Sequence, residues 1–218
     1  MWTTTESVIA HVEKALASVE DLESKRKRKL PASVFKIEGM TGVKTRMFYN
    51  ALCDVPEKTN YLEIGAWGGS STAAALYGNT NITPYIVDDW SEFSGSYDIF
   101  HKNVSEHFDF SKVNLFQLDY RTLDLSGIPP IQIYLYDGPH EKSDHILALL
   151  KYSKILSPIS IVLIDDWNWE CVQEGTREAL AEIPFDVVYE KCIYTDYEKE
   201  RSTEYWNGIG IFVLKRQF

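Results

Sequence analysis

Long apolar runs, paired cysteines and excess positive charge are all missing from this sequence of 218 residues. No run of 18 apolar residues occurs, which excludes a membrane-spanning helix, and the charged N-terminal segment is unlike a signal peptide. The three cysteines, Cys53, Cys171 and Cys192, show no CxxC or Cys/His spacing. We therefore expect reduced cysteines and a cytoplasmic protein.

The charge balance also limits the partners of the chain. Lys and Arg total 22 against 32 Asp and Glu, which gives a formal charge of −10. A chain this acidic is repelled by nucleic acid and by anionic membranes, so we expect neither as a partner. Carboxylate clusters on such a chain suit divalent cations.

Helical and strand patterns alternate along most of the chain. Apolar residues at helical spacing from Val8 to Leu22 predict an amphipathic N-terminal helix, and a second helix is predicted over Val43 to Cys53. Strands are predicted after these two helices, over Tyr61–Ile64, Pro84–Val87, Val113–Gln117, Ile131–Tyr136 and Ser160–Ile164. The helices between and after them are predicted over Ser70–Tyr77, Ser96–His107, Ser143–Leu156 and Trp169–Ala181.

This alternation predicts an α/β, Rossmann-like fold with a mostly parallel sheet and helices on both faces. Two final strands, Phe185 to Tyr194 and Gly208 to Leu214, have no helix between them and predict an antiparallel hairpin at the sheet edge. We expect an N-terminal helical segment over residues 1–56 and a ligand-binding domain over residues 57–218. Because the N-terminal helix lies outside the sheet, it is compatible with a homo-oligomer.

A glycine turn joins the first strand to a helix at Gly65, Gly68 and Gly69. Glycines let the backbone approach a ligand, and the helix start offers unpaired N–H groups, as in nucleotide pockets. Asp88 ends the next apolar run, 23 residues past Gly65, near the offset of about 20 residues expected of a ribose-binding acid. Taken alone, the glycine turn is also compatible with ordinary strand–helix packing.

The spacing of this turn favours one kind of nucleoside ligand. It lacks the GxGxxG pattern of NAD-binding turns, and Glu63 places an acid at the strand end. An acid there repels a pyrophosphate and suits a cationic ligand such as S-adenosylmethionine. Asp119 is placed to meet the adenine amino group, or is a plain loop aspartate. Trp67 and Trp90 flank the pocket, or only pack beside it.

Acidic residues also follow the fourth and fifth strands. Asp137 ends one strand, and Asp165 with Asp166 ends the next, so all three carboxylates are expected at one edge of the sheet. Oxygen ligands of this kind select a hard divalent ion, most naturally Mg²⁺. His140 can reach the same space and is a candidate general base. The alternatives are that the acidic pair caps a helix and that His140 is a loop residue.

Together these motifs resemble those of class I S-adenosylmethionine-dependent methyltransferases. More narrowly, they are similar to the metal-dependent O-methyltransferases related to the macrocin and mycinamicin sugar methyltransferases. The matching segments are Glu63-Ile64-Gly65 with Gly68 and Ser71-Thr72, Val87-Asp88-Asp89-Trp90, Asp137-Gly138-x-His140, and Ile164-Asp165-Asp166. Asp89 stands where a proline-like residue is usual, and Pro139 replaces an acidic residue before the histidine.

The resemblance implies a seven-stranded sheet with an antiparallel C-terminal edge strand, and Mg²⁺ bound by Asp137, Asp165 and Asp166. It also implies that His140 takes the proton of the acceptor. We assign the following residues to the cofactor: Glu63, Gly65, Ala66, Trp67, Gly68, Ser70, Ser71, Asp88, Trp90, Asp119 and Asp137.

The expected reaction is methyl transfer to a hydroxyl of a sugar or another small molecule, assisted by Mg²⁺. Two other interpretations stay open, namely a metal-independent methyltransferase and a catalytically silent protein that binds a nucleoside or forms oligomers. An NAD-linked oxidoreductase is disfavoured by the missing GxGxxG pattern and by Glu63.

Overall fold

A computed structural model describes residues 4–25, 30–196 and 203–217, whose centre is a seven-stranded sheet. The strands are β1 (Thr59–Ile64), β2 (Ile82–Val87), β3 (Asn114–Phe116), β4 (Ile131–Tyr136), β5 (Leu156–Asp165), β6 (Phe185–Ile193) and β7 (Ile209–Arg216). They lie in the order β3-β2-β1-β4-β5-β7-β6. Neighbours from β3 to β5 are parallel, whereas β7 is antiparallel to both β5 and β6.

Helices cover both faces of this sheet. They are α1 (Thr5–Lys25), α2 (Ala32–Lys36), α3 (Val43–Leu52), α4 (Ser70–Leu76), α5 (Tyr97–Ser105), α6 (Lys142–Tyr152) and α7 (Glu170–Glu182). The predicted Rossmann-like α/β class is confirmed. The predicted hairpin does stand at the sheet edge, but β6 is outermost, and the antiparallel C-terminal strand β7 lies one place inside it.

Two hydrophobic clusters fill the space between the sheet and its helices. One joins α1, α3 and α5 to one face, and the other joins α6 and α7 to the opposite face. Val8, Val12, Ala15 and Val19 form the buried stripe of α1, which explains why the N-terminal segment packs on the sheet. The division of the chain at residues 56 and 57 stays a prediction. None of the helices in the described ranges combines the length and apolar character that a bilayer crossing requires.

The carboxyl ends of the four central strands are level with one another. Ile64 of β1 pairs with Val87 of β2 and with Tyr136 of β4, and Tyr136 pairs with Ile164 of β5. The residues that follow these strands therefore stand side by side at one edge of the sheet. In open α/β sheets this edge is where ligands bind.

Candidate functional site

A cavity of about 350 Å³ opens at this edge of the sheet. Its size lies within the range of small-molecule sites. Most of the residues that the sequence assigns to cofactor, metal or catalysis line it. They are Gly65, Ala66, Trp67, Ser70, Ser71, Asp88, Asp119, Asp137, His140 and Asp166.

Four of the assigned residues do not line the cavity, namely Glu63, Gly68, Trp90 and Asp165. Glu63 and Asp165 are buried, with 0% and 3% of their surfaces exposed. The Trp90 ring packs against Phe100, and its Nε1 donates to the carbonyl of Trp67 at 2.9 Å. Direct contact of these four residues with a ligand stays a prediction.

The glycine turn packs directly against the end of β4. Gly65 has a φ of +83°, and a Cβ atom at this position would lie 1.8 Å from the carbonyl oxygen of Asp137. Only glycine fits here, because a side chain would meet backbone that cannot move aside. The Asp137 N–H donates to the carbonyl of Ile64 at 2.8 Å. These contacts join the glycine turn to the first residue of the acidic group.

Behind the turn, the Glu63 carboxylate is held by three hydroxyl groups. Thr72 and Tyr61 donate to its Oε2 at 2.8 and 2.9 Å, and Ser71 donates to Oε1. Burial raises the pKa of Glu63 to about 7, although the three hydrogen bonds act in the opposite direction. Glu63 therefore links β1 to the start of α4, and its carboxyl group is only partly ionised at neutral pH.

Asp88 fastens the glycine turn to the end of β2. Its Oδ2 accepts from the N–H groups of Ala66 and Trp67 at 2.7 and 2.8 Å, and its Oδ1 accepts from Trp90 N–H at 2.6 Å. A carboxylate has about four lone-pair positions, so these donors leave about one for a ligand. Contact with a ribose stays a prediction, and the first role of Asp88 is to hold the turn.

Asp119 lines the cavity and follows β3 along the chain. It accepts from the N–H of Arg121 at 2.8 Å and pairs with the Arg121 guanidinium at 3.3 Å. Arg121 also pairs with Asp144, and it lines the cavity itself. No local sequence pattern indicates a role for Arg121, because its partner Asp144 lies 23 residues further along the chain.

The metal-binding candidates divide into two groups. Asp137, His140 and Asp166 each place one ligand atom within 4.8 Å of the other two, and His140 Nε2 is 2.8 Å from Asp166 Oδ2. Asp165, which is 3% exposed, is not part of this group. The predicted set of three aspartates is therefore not the set that the structure brings together around the cavity.

Burial and mutual repulsion raise the pKa values of two of these carboxyl groups. Desolvation, together with Asp165 and Asp166, raises the pKa of Asp137 well above its usual range. Desolvation and Asp166 raise the pKa of Asp165 in the same way. Neighbouring carboxyls with raised pKa values keep a proton between them unless a cation neutralises them. The chemistry of the donors therefore fits a divalent ion.

Residues with a positive φ are concentrated around the cavity. Among the described residues, six other than glycine have a positive φ, and four of them line the cavity: Trp67, Phe93, Asp166 and Trp206. Such conformations cost about 1–3 kcal/mol each and cluster at functional sites. At Asp166 the φ of +54° accompanies a side chain that lines the cavity, and Asn207 Nδ2 donates to its Oδ1.

Aromatic and apolar residues that the sequence did not assign to cofactor, metal or catalysis form much of the remaining wall. The ring of His140 lies 4.8 Å from that of Trp169 and 6.2 Å from that of Phe93. Met40 comes from the segment before α3, and Trp206 precedes β7. These residues are distant along the chain, and no local pattern distinguishes them from ordinary packing residues.

No protein-family model and no curated protein matches the sequence. Solved structures share its fold. Cofactor-bound Rv0187 from MTB is 15% identical with a TM-score of 0.62, over 100% of this chain and 94% of that one. TrmN from Thermus thermophilus is 14% identical with a TM-score of 0.57, over 84% and 51%.

SMU.776, a methyltransferase candidate solved with SAH (S-adenosylhomocysteine), is 14% identical with a TM-score of 0.55, over 77% of this chain and 48% of that one. The chain thus spans about half the length of TrmN and of SMU.776. At these identities the likeness shows the fold alone. The chain has the class I methyltransferase fold, a Rossmann-like sheet with helices around it.

Proposed function

We propose that this protein is an S-adenosylmethionine-dependent O-methyltransferase that acts on a hydroxyl of a small molecule with the help of a divalent cation. One observation carries the proposal: the glycine turn at Gly65 and the group Asp137, His140 and Asp166 line the same cavity. For methyl transfer, the methyl group of the cofactor and the acceptor hydroxyl must be close together and aligned. A shared cavity provides that proximity.

The cofactor part of the proposal relies on the turn and its neighbours. The backbone from Gly65 to Trp67 borders the cavity, with Asp88 and Asp119 along the side expected to receive the nucleoside. When bound, S-adenosylmethionine supplies an electrophilic methyl group on a sulfonium. Fold neighbours solved with a cofactor or with SAH support this choice of ligand.

The cation part relies on the surplus of carboxylates. Asp137 and Asp166 offer oxygen donors, and Mg²⁺ is the ion that oxygen donors suggest first. When bound, such an ion lowers the pKa of an acceptor hydroxyl. The prediction that His140 takes the acceptor proton needs an available ring nitrogen, and its Nε2 is the nitrogen that faces Asp166.

The acceptor class follows from the shape and charge of the cavity. Phe93, Trp169 and Trp206 provide flat apolar walls beside the acidic group, which suits a sugar ring or a catechol with neighbouring hydroxyls. The formal charge of −10 disfavours RNA or DNA as the acceptor.

The test begins with isothermal titration of SAH into the wild type and into the Asp88→Asn variant. We expect binding to the wild type and at least about a tenfold loss of affinity in the variant, because Asp88 holds the turn through charged hydrogen bonds. Asp124→Asn is the matched control, since Asp124 accepts from Ser126 at an exposed site outside the cavity. Absence of SAH binding to the wild type would contradict the proposal.

The second step measures transfer of a labelled methyl group to a panel of sugar and catechol hydroxyls, with and without EDTA. Transfer that EDTA suppresses and added divalent ions restore is the expected result. Full activity in EDTA would favour the metal-independent alternative. Binding of SAH with no transfer to any acceptor of the panel would favour the catalytically silent alternative.

A further inference from the structure

The side chains that meet at the cavity include a ring nitrogen as well as carboxylate oxygens. Asp137, His140 and Asp166 are the group whose ligand atoms lie within 4.8 Å of one another. Asp165, the third oxygen donor that the sequence predicts, does not line the cavity. Compared with the predicted set of three aspartates, the set in the structure has the His140 imidazole in place of the Asp165 carboxylate.

We propose that His140 is a ligand of the divalent ion, and that Asp137, His140 and Asp166 form a mixed nitrogen and oxygen centre. Such a centre favours Mn²⁺ or a neighbouring first-row metal over Mg²⁺, because imidazole binds these metals better. This inference rests on the cation in the proposed function and assigns both its protein ligands and its class.

The distances suit neighbouring ligands of one ion. Two ligand atoms at about 2.1 Å from an ion and at right angles to each other lie about 3 Å apart. His140 Nε2 and Asp166 Oδ2 are separated by 2.8 Å. The 4.8 Å limit on the whole group allows a common ion after small side-chain movements.

Asn207 provides a second, independent indication of a ligand at this place. It is 2% exposed, it lines the cavity, and its Nδ2 donates to Asp166 Oδ1. Its carbonyl oxygen Oδ1 is buried and has no hydrogen-bond partner among the described residues. A buried acceptor without a donor is costly. Carbonyl oxygens of this type are ligands of divalent ions, so a cation beside Asp166 would satisfy it.

The surroundings hold the proposed ligands in place. The rings of Trp169 and Phe93 lie 4.8 Å and 6.2 Å from the His140 ring. Asn207 donates to Asp166, and the buried Asp165 shares a side-chain hydrogen bond with Asp137. Groups that orient metal ligands in this way typically matter for affinity. In this arrangement Asp165 supports the centre from outside instead of binding the ion.

The assignment changes the role predicted for His140. A ring nitrogen that is bonded to a cation has no lone pair with which to accept a proton. His140 Nε2 therefore does not act as the general base of the reaction. Together with Asp137 and Asp166 it would hold the ion, which would lower the pKa of a bound acceptor hydroxyl so that its proton can leave to solvent.

Electron spin-echo measurements on the full chain loaded with Mn²⁺ test this inference without relying on activity. A directly bound imidazole gives a ¹⁴N coupling to the Mn²⁺ spin. We expect this coupling in the wild type and in the control His101→Asn, whose ring is outside the cavity. We expect its loss in His140→Gln, together with at least about a tenfold weaker Mn²⁺ affinity.

Competition between Mn²⁺ and Mg²⁺ gives a second readout. The preference for Mn²⁺ should decrease in His140→Gln, because the glutamine offers only an amide oxygen. Bound Mn²⁺ without ¹⁴N coupling in the wild type would overturn the assignment of His140 and leave the cation of the proposed function intact. Absence of Mn²⁺ binding to the wild type would overturn both, whereas SAH binding is measured separately and tests the cofactor.

Discussion

The change of Glu63 to glutamine should alter how stability depends on pH. Glu63 is fully buried, and burial raises its pKa to about 7 from an ordinary value of 4.5. Between these two values the unfolded chain has lost the proton and the folded protein keeps it. The free energy of unfolding therefore falls as pH rises through this window, since the folded state binds more protons there. Glutamine carries no proton to lose.

The size of the change in unfolding free energy follows from the difference between the folded and unfolded pKa values of Glu63. Each unit of pKa difference corresponds to about 1.4 kcal/mol, so full ionisation of Glu63 costs the folded state about 3 kcal/mol. Part of this cost is already present at pH 5. From pH 5 to pH 9 the stability of Glu63→Gln relative to the wild type should therefore increase by about 2–3 kcal/mol. Hydrogen bonds from Tyr61, Ser71 and Thr72 oppose the shift, and the pKa of about 7 already includes their effect.

Urea unfolding of both proteins at several pH values measures the difference. Asp137 and Asp165 also have raised pKa values, but they are present in both proteins and largely cancel in the difference. Glu106→Gln, at an exposed glutamate, is the matched control and should show no such slope. A difference between wild type and Glu63→Gln that stays constant from pH 5 to pH 9 would refute the reasoning from burial.

Three further changes test other parts of the structure. Gly65→Ala should lower the free energy of unfolding by about 3 kcal/mol or more, because its Cβ would lie 1.8 Å from the Asp137 carbonyl; near-normal urea stability would contradict this. Tyr49→Phe should raise the free energy of unfolding by up to about 1 kcal/mol, since the buried Tyr49 hydroxyl has no partner among the described residues; a clear destabilisation would mean that the hydroxyl is bonded. Phe93→Ala should raise the KM for the acceptor about tenfold with unchanged SAH affinity, because Phe93 borders His140; an unchanged KM would place the acceptor elsewhere.

Much of the fold could be predicted from the sequence because local patterns determine it. The predicted strand Ile131–Tyr136 matches β4 at both ends, and the predicted helix from Ser70 differs from α4 by one residue. Strand β5 begins at Leu156, four residues before the predicted start at Ser160, and the predicted helix Ser143–Leu156 ends early, at Tyr152. The boundary was misplaced because the segment from Ile155 to Val162 mixes apolar residues with Ser157, Pro158 and Ser160, so its pattern does not mark where the strand begins.

The edge of the sheet could be predicted for a similar reason. Parallel strands of similar length end together, so residues that follow them are neighbours. This places Gly65, Asp88 and Asp137 side by side, as the register shows. The sequence could not tell which of Asp165 and Asp166 lines the cavity. That choice depends on the positive φ of Asp166 and on Asn207, which is 41 residues away.

The apolar wall and the state of Glu63 could not be predicted. Met40, Trp169 and Trp206 reach the cavity from three separate parts of the chain, and each looks like an ordinary packing residue in its local sequence. The acid at position 63 was read as a negative charge facing the ligand. Its burial beneath three hydroxyl groups is a tertiary effect, because the two from α4 become neighbours of β1 only after folding.

A crystal structure of the protein with SAH and Mn²⁺, with the manganese located by anomalous scattering, tests the central claim most directly. We expect the nucleoside to lie along the turn from Gly65 to Trp67, with its sulfur facing the acidic group. The manganese should lie within about 2.0–2.5 Å of Asp137, His140 and Asp166. A nucleoside bound outside this cavity, or a manganese ion that contacts none of these three side chains, would contradict the account.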